Sequence, residues 1–166
     1  TTFTHDEERV LASDVFQIEE LRHQFDIVIC HDVIEHIYDK SGFVQKCKQM
    51  LKEDGVIFIS FPAWHMPFGG HQQLCQSRFL SHLPFFHLLP AALYGWILKA
   101  FKENEECVSG LLDIKRTKCP IELFERTVRK EGFETIDRTL YFINPHYEVK
   151  FNLRPRKLYA AIGGIP

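Results

Sequence analysis

Phe25-Asp26-Ile27-Val28-Ile29-Cys30-His31-Asp32-Val33-Ile34-Glu35-His36 is the stretch that decides the fold. Ile27 to Cys30 is an unbroken apolar run rich in β-branched residues, the pattern of a central parallel strand covered on both faces. The run ends in a cluster of polar and ionisable groups. In open α/β sheets, ligands sit beyond the carboxyl ends of such strands. Downstream, Ser41 is placed to cap a helix whose apolar residues Phe43, Val44, Cys47, Met50 and Leu51 fall on one stripe. Gly55 supplies a left-handed stop, and Val56-Ile57-Phe58-Ile59-Ser60 makes a second apolar strand ended by Pro62. Strand, helix and strand form one βαβ unit.

Further along, Pro120 suits a first helical turn, Ile121, Phe124 and Val128 line one face, and Gly132 ends the helix. Phe133 to Phe142 is rich in Thr, Tyr and Ile and reads as another strand. Between these parts, Phe79 to Leu98 contains no Asp, Glu, Lys or Arg, which is membrane-spanning length. Pro84, Pro90 and Gly95 interrupt it, as do His82 and His87. It reads as a buried helical cover, with peripheral membrane contact through 79–98 as the alternative.

Composition narrows the class. The 166 residues are 45% hydrophobic and carry a net charge of −2, which speaks against a dedicated nucleic-acid binder. The small basic run Lys150, Arg154, Arg156 and Lys157 reads as solvated surface. The five cysteines, at 30, 47, 75, 107 and 119, are odd in number and form no C-x-x-C. That suits reduced thiols in a cytoplasmic setting.

FDIVICHDVIEHIYD, the helix after it, LKEDGVIFISFP and the later EGFETID together resemble the second half of a class I S-adenosylmethionine-dependent methyltransferase of the small-molecule type 11/12 kind. The resemblance covers roughly residues 10–62 and 119–143. It implies an α/β fold with a Rossmann-like sheet. Residues 63–118 have no general family counterpart and read as a helical or loop insertion covering the substrate side. The family cradles its cofactor with a glycine-rich turn after the first strand, where only Gly lets the backbone approach so closely. No G-x-G occurs in this sequence. The expectation is therefore a single partial methyltransferase domain over 1–166, truncated at the N-terminus and also at the C-terminus. In the family the later strand pairs with a final antiparallel one, for which residues 157–162 are the candidates.

The resemblance also assigns a site. Asp14 and Val15 match the short acidic tract that receives adenine, where an acceptor-only carboxylate suits a donor-only amine. The alternative is that Asp14 caps the turn at Phe16–Leu21. His31, Asp32 and Val33 stand at the strand end that contacts the cofactor, and Glu35 and His36 match the family's E-H pair, with His36 on the cofactor floor. After the second strand, Trp64 and Phe68 offer an apolar pocket wall. His71 follows a Gly-Gly pair read as a hinge, and titrates near neutral pH, as a general base for a hydroxyl acceptor requires. Tyr141, Asn144 and His146 are further substrate-side candidates.

The implied function of the full protein is methyl transfer from S-adenosylmethionine to a small, hydrophobic acceptor, with O-methylation favoured and this chain inactive alone. A rival reading uses His31, Asp32, Glu35 and His36 as a metal-dependent hydrolase site. Its H-x-x-x-E-H spacing departs from the H-E-x-x-H and H-x-x-E-H zinc motifs, so no metal ligand is assigned.

Overall fold

The computed structural model describes residues 13–19 and 21–158. A one-turn 3-10 helix, Val15–Gln17, precedes β1 (Phe25–His31). α1 (Lys40–Met50) then leads into β2 (Leu51–Ser60), which pairs with β1 in parallel. Ile27 lies opposite Val56, Cys30 opposite Ile59, and His31 opposite Ser60. The βαβ unit is therefore present, with two changes at the ends of its helix. Asp39, and not Ser41, is the cap: its Oδ1 accepts the Gly42 N–H at 2.8 Å, while the Ser41 hydroxyl donates to Glu131. Nor does Gly55 stop the helix. Leu51 is buried, takes an extended backbone and already pairs with Phe25, so β2 begins at Leu51 and not at Val56.

The alternation of the strands separates two faces. Val28, Cys30, Ile57 and Ile59 belong to the core shared with Phe43, Val44 and Cys47 of α1. Ile27 and Ile29 remain 61% and 71% exposed, and Val56 and Phe58 are exposed beside them. The strand was expected to be covered on both faces; among the described residues it is covered on one.

Residues 63–118, expected as an insertion, fold around a core of their own. α2 (Arg78–Ser81), a 3-10 turn at Phe86–Leu88, α3 (Ala91–Ala100) and α4 (Glu105–Thr117) follow one another with short connections. Trp64, Leu80, Phe86, Tyr94, Leu98, Val108, Leu111 and Ile114 fill the space between them. The prolines break the uncharged segment as expected, and no helix among the described residues is long and apolar enough to cross a membrane. Polar groups staple this core together. His87 is fully buried and its Nε2 donates to the Trp64 carbonyl at 2.7 Å. Lys115 donates to the His87 carbonyl at 2.6 Å and lies over the Trp64 ring.

α5 (Ile121–Lys130) returns to the first core through Phe124 and Val128, and packs along α1. Gly132, in the left-handed region at φ 75°, terminates it as its position predicts. The expected strand over 133–142 contracts to β3 (Tyr141–Ile143). α6 (His146–Phe151) follows, and β4 (Arg156–Lys157) pairs antiparallel with β3. The rest of the expected strand is irregular, although the Leu158 N–H donates to the Leu140 carbonyl at 2.8 Å beside the short ladder. The pairing role foreseen for 157–162 is met by Lys157; residues 159–162 lie outside the described residues. All five cysteines are free thiols.

Candidate active site

The end of β1 builds the site by a change of period. Asp32 takes a left-handed backbone (φ 52°) while its N–H donates to the Ser60 carbonyl at 2.9 Å, tying the two strand ends together. The 3-10 turn Ile34–His36 follows. Ile34 is fully buried and anchors this turn in the core, which places the neighbouring Glu35 inside and leaves His36 exposed.

From the other side comes the loop after β2. Successive turn hydrogen bonds fold it tightly: Met66 N–H to Ala63, Gly69 N–H to Met66, and His71 N–H to Phe68. The Gly69-Gly70 pair, expected as a hinge, is a packing requirement instead. A Cβ on Gly69 would stand 2.3 Å from the Ala63 oxygen, and one on Gly70 would stand 2.1 Å from the His87 Cβ. The loop is thereby fixed to the insertion core, and His71 leaves it with a left-handed backbone (φ 57°).

Glu35, His36 and His71 converge as a result. Glu35 Oε1 lies 3.7 Å from His36 Nε2 and 3.7 Å from His71 Nε2. The two imidazoles meet edge to face with centroids 5.1 Å apart. Glu35 is 1% exposed, and neither of its carboxylate oxygens has a hydrogen-bond partner among the described residues. Burial pushes its carboxyl up to about 7, helped by the nearby Asp32 charge. His36 is shifted down, mainly by burial. Lys40, also buried, donates to the carbonyls of Ile37 and Thr117, and burial lowers its pKa. The arrangement can hold and pass a proton at neutral pH, and offers one oxygen and two nitrogens as ligands to a cation.

The other expected residues are distributed unevenly. His31 reaches across to β2, its Nδ1 2.5 Å from Ser60 Oγ with its ring exposed, and it does not join the Glu35 cluster. The rival H-D-x-x-E-H set therefore does not close on one point. Asp14 accepts the Phe16 N–H at 3.0 Å, so the capping alternative is present, and Val15 packs against the sheet core. Val33 is partly exposed at the strand end. Trp64 is 6% exposed and edge-on to His87, and it lines a cleft together with Leu88, Ala92, Leu112 and Lys115. Phe68 meets Tyr147 edge to face at 5.5 Å. Tyr141 and Asn144 are half-buried, and the Asn144 carbonyl accepts the Tyr147 N–H at 2.9 Å. The side chain of His146 lies outside the described residues. Tyr147, which braces Phe68, is absent from the sequence reading, and Glu35, read there as one half of the E-H pair, is the centre of the cluster. The signal for Glu35 was its neighbour Ile34, whose burial carries it inside.

Comparison with known proteins bears on the same stretch. Residues 2–59 match the family described as a methyltransferase domain. The ubiquinone biosynthesis O-methyltransferase of Glaesserella parasuis serovar 5 is 49% identical over 37 residues, covering 22% of this chain and 16% of that protein. Its counterpart in Haemophilus ducreyi is 46% identical over 37 residues, with the same coverage. That of Pseudomonas syringae pv. tomato is 40% identical over 52 residues, or 31% of this chain and 22% of that protein. The matched segment thus spans about a sixth to a fifth of these relatives. No solved structure matches. The family match and these relatives support the resemblance to a methyltransferase domain over the stretch that contains the first strand–helix–strand unit.

Proposed function

We propose that the full protein transfers a methyl group to the hydroxyl of a small, hydrophobic acceptor. The observation that carries this reading is the buried Glu35 carboxylate between His36 and His71, at the carboxyl end of a methyltransferase-type strand pair. The matched relatives carry O-methyltransferase in their names, which supports oxygen as the acceptor atom.

S-adenosylmethionine, when bound, supplies an electrophilic methyl. Asp14 and Val15 would hold the adenine end, with His31, Asp32, Val33 and His36 at the strand end. The donor set suits adenine, since a carboxylate accepts from an exocyclic amine. It lacks a glycine turn for the methionine end. The acceptor lies on the His71 side, against Phe68, with Tyr141, Asn144 and His146 beyond and Trp64 behind. His71 takes the hydroxyl proton, and Glu35 stabilises the imidazolium that results. Holding the two reactants in line contributes the larger part of the acceleration. The insertion over 63–118 excludes water from the acceptor.

The test is to incubate the full-length protein with methyl-tritiated S-adenosylmethionine and a panel of hydrophobic phenols, alcohols and amines. Label should appear in hydroxyl acceptors as methyl ether. Transfer confined to amines would overturn the oxygen assignment, and no transfer to any of these acceptors would overturn the reaction.

A further inference from the structure

We infer that Cys75, Glu103 and Cys107 form a binding site for one thiophilic divalent cation of the zinc type. Two thiol sulfurs and a carboxylate oxygen, one from each residue, all lie within 4.8 Å of one another. Three separate segments bring them together. Cys75 closes the 3-10 turn Gln72–Leu74, Glu103 stands between α3 and α4, and Cys107 lies in the first turn of α4. Donors about 2.0–2.3 Å from a tetrahedral zinc stand roughly 3.5–3.8 Å apart, so shifts of about 1 Å close the trio on one ion.

The carboxylate is already held in place. Glu103 is buried, and its two oxygens accept the N–H groups of Gln76 and Ser77, each at 2.8 Å. Each oxygen keeps a second lone pair, and hydrogen bonds of this kind orient a ligating carboxylate in metal sites. The thiols are the costly part. Burial pushes Cys75 up to about 12 and raises Cys107 as well, and in both the Glu103 charge adds to the rise. A divalent cation reverses that balance, because it takes both sulfurs as thiolates and offsets the buried carboxylate charge. The start of α4 favours the same anionic sulfur at Cys107.

The donor set selects the ion. Thiolates suit zinc and its softer neighbours, whereas magnesium and calcium take oxygen ligands. Cys107 is half-buried, which gives the ion an access path and water a fourth position. The other close thiol pair, Cys30 and Cys47, has its sulfurs 4.0 Å apart but no third donor at ligand spacing among the described residues.

Binding staples the loop that carries His71 to the start of α4. His71 opens the turn that Cys75 closes, and its carbonyl accepts the Leu74 N–H at 2.9 Å. An ion on Cys75 therefore fixes the far end of that turn. Any effect on catalysis rests on the proposed role of His71, whereas binding does not. Each thiol gives its proton to solvent as its sulfur bonds the metal, so uptake of one ion releases two protons.

The experiment is a titration of the chelator-treated full-length protein with Co²⁺ in phosphine-reduced buffer, followed by the near-ultraviolet thiolate-to-cobalt band. We expect one equivalent to bind with that band, and Zn²⁺ to displace it. Below the thiol pKa values the affinity should rise about 100-fold per pH unit, as the release of two protons requires. Cys107→Ser, at a half-buried position, should weaken binding by about 100-fold or more, the upper end of what losing even an outer-shell partner costs. Cys75→Ser should do the same, with circular dichroism verifying the fold of both, and Cys30→Ala should leave the band unchanged. Zn²⁺ should raise the urea midpoint of wild type and not that of Cys107→Ser. No binding, cobalt bound without a thiolate band, or a band that survives intact in the Cys75→Ser and Cys107→Ser variants would overturn the site.

Discussion

The two hydrophobic cores are built by different means. The first lies under one face of β1 and β2 and is made of periodic apolar residues, Cys30, Val44, Cys47 and Val128 among them. The second, between α2, α3 and α4, closes around buried polar groups. His87 holds the Trp64 carbonyl, Gln72 reaches the Pro67 carbonyl at 2.8 Å, and Glu103 receives two backbone N–H groups. The first core is a half-layer with an open face, whereas the second is enclosed and cross-tied. The candidate site joins them, since Glu35 and His36 come from the first and His71 from a loop locked onto the second. The convergence of Glu35, His36 and His71 therefore depends on how the two cores are held against each other.

The largest expected effect tests that junction. In the complete enzyme His71→Ala should lower turnover by about 10²–10⁴-fold through loss of the base and leave cofactor affinity nearly unchanged. A parallel loss of cofactor affinity would put the loop on the wrong side of the pocket.

Next in size, Leu98→Ala in the enclosed core should cost about 2–5 kcal/mol, because cross-tied walls collapse poorly into a void. Urea unfolding followed by Trp64 and Trp96 fluorescence measures it. A cost below the Val44→Ala cost in the open core would break the comparison.

A third prediction uses the folded pKa of Glu35, near 7 against its ordinary 4.5. The folded state binds this proton more tightly than the unfolded one, so stability falls as pH rises from 4.5 through 7. The loss should amount to about 3 kcal/mol. Wild type should therefore decline relative to Glu35→Gln between pH 5 and 8, measured by chemical denaturation at each pH. A constant difference would show the carboxyl to be ordinary.

Smallest is Asp14→Ala, which removes the cap on the Phe16 N–H and should cost about 1 kcal/mol. In the full protein it should also weaken cofactor binding by about 1–3 kcal/mol, and titration calorimetry separates the two.

The open core was legible because its cause is local. A β-branched run, a 3.6-residue stripe and a terminal glycine place β1, α1, β2 and α5 without knowledge of partners. Helix ends were less legible: Asp39 competes with Ser41 two residues away, and the burial of Leu51 outweighs Gly55. The exposure of Ile27 and Ile29 was not legible at all, because an apolar residue on a strand does not state what covers it. In the insertion, proline positions announced the breaks, but His87 holding Trp64 across 23 residues leaves no periodic trace. The site divides the same way. Glu35, His36 and His71 were each visible as chemistry, but their convergence depends on the buried Ile34 and on two glycines packed against the insertion.

The bare face of β1 and β2 has a practical consequence for handling. Ile27, Ile29, Val56 and Phe58 make an apolar strip on a pair of strands, and exposed surface of this kind draws chains together. Colloidal behaviour will therefore set the usable concentration of this polypeptide before its melting temperature does. Detergent or a charged substitution at Ile29 will extend that concentration without touching Glu35, His36 or His71.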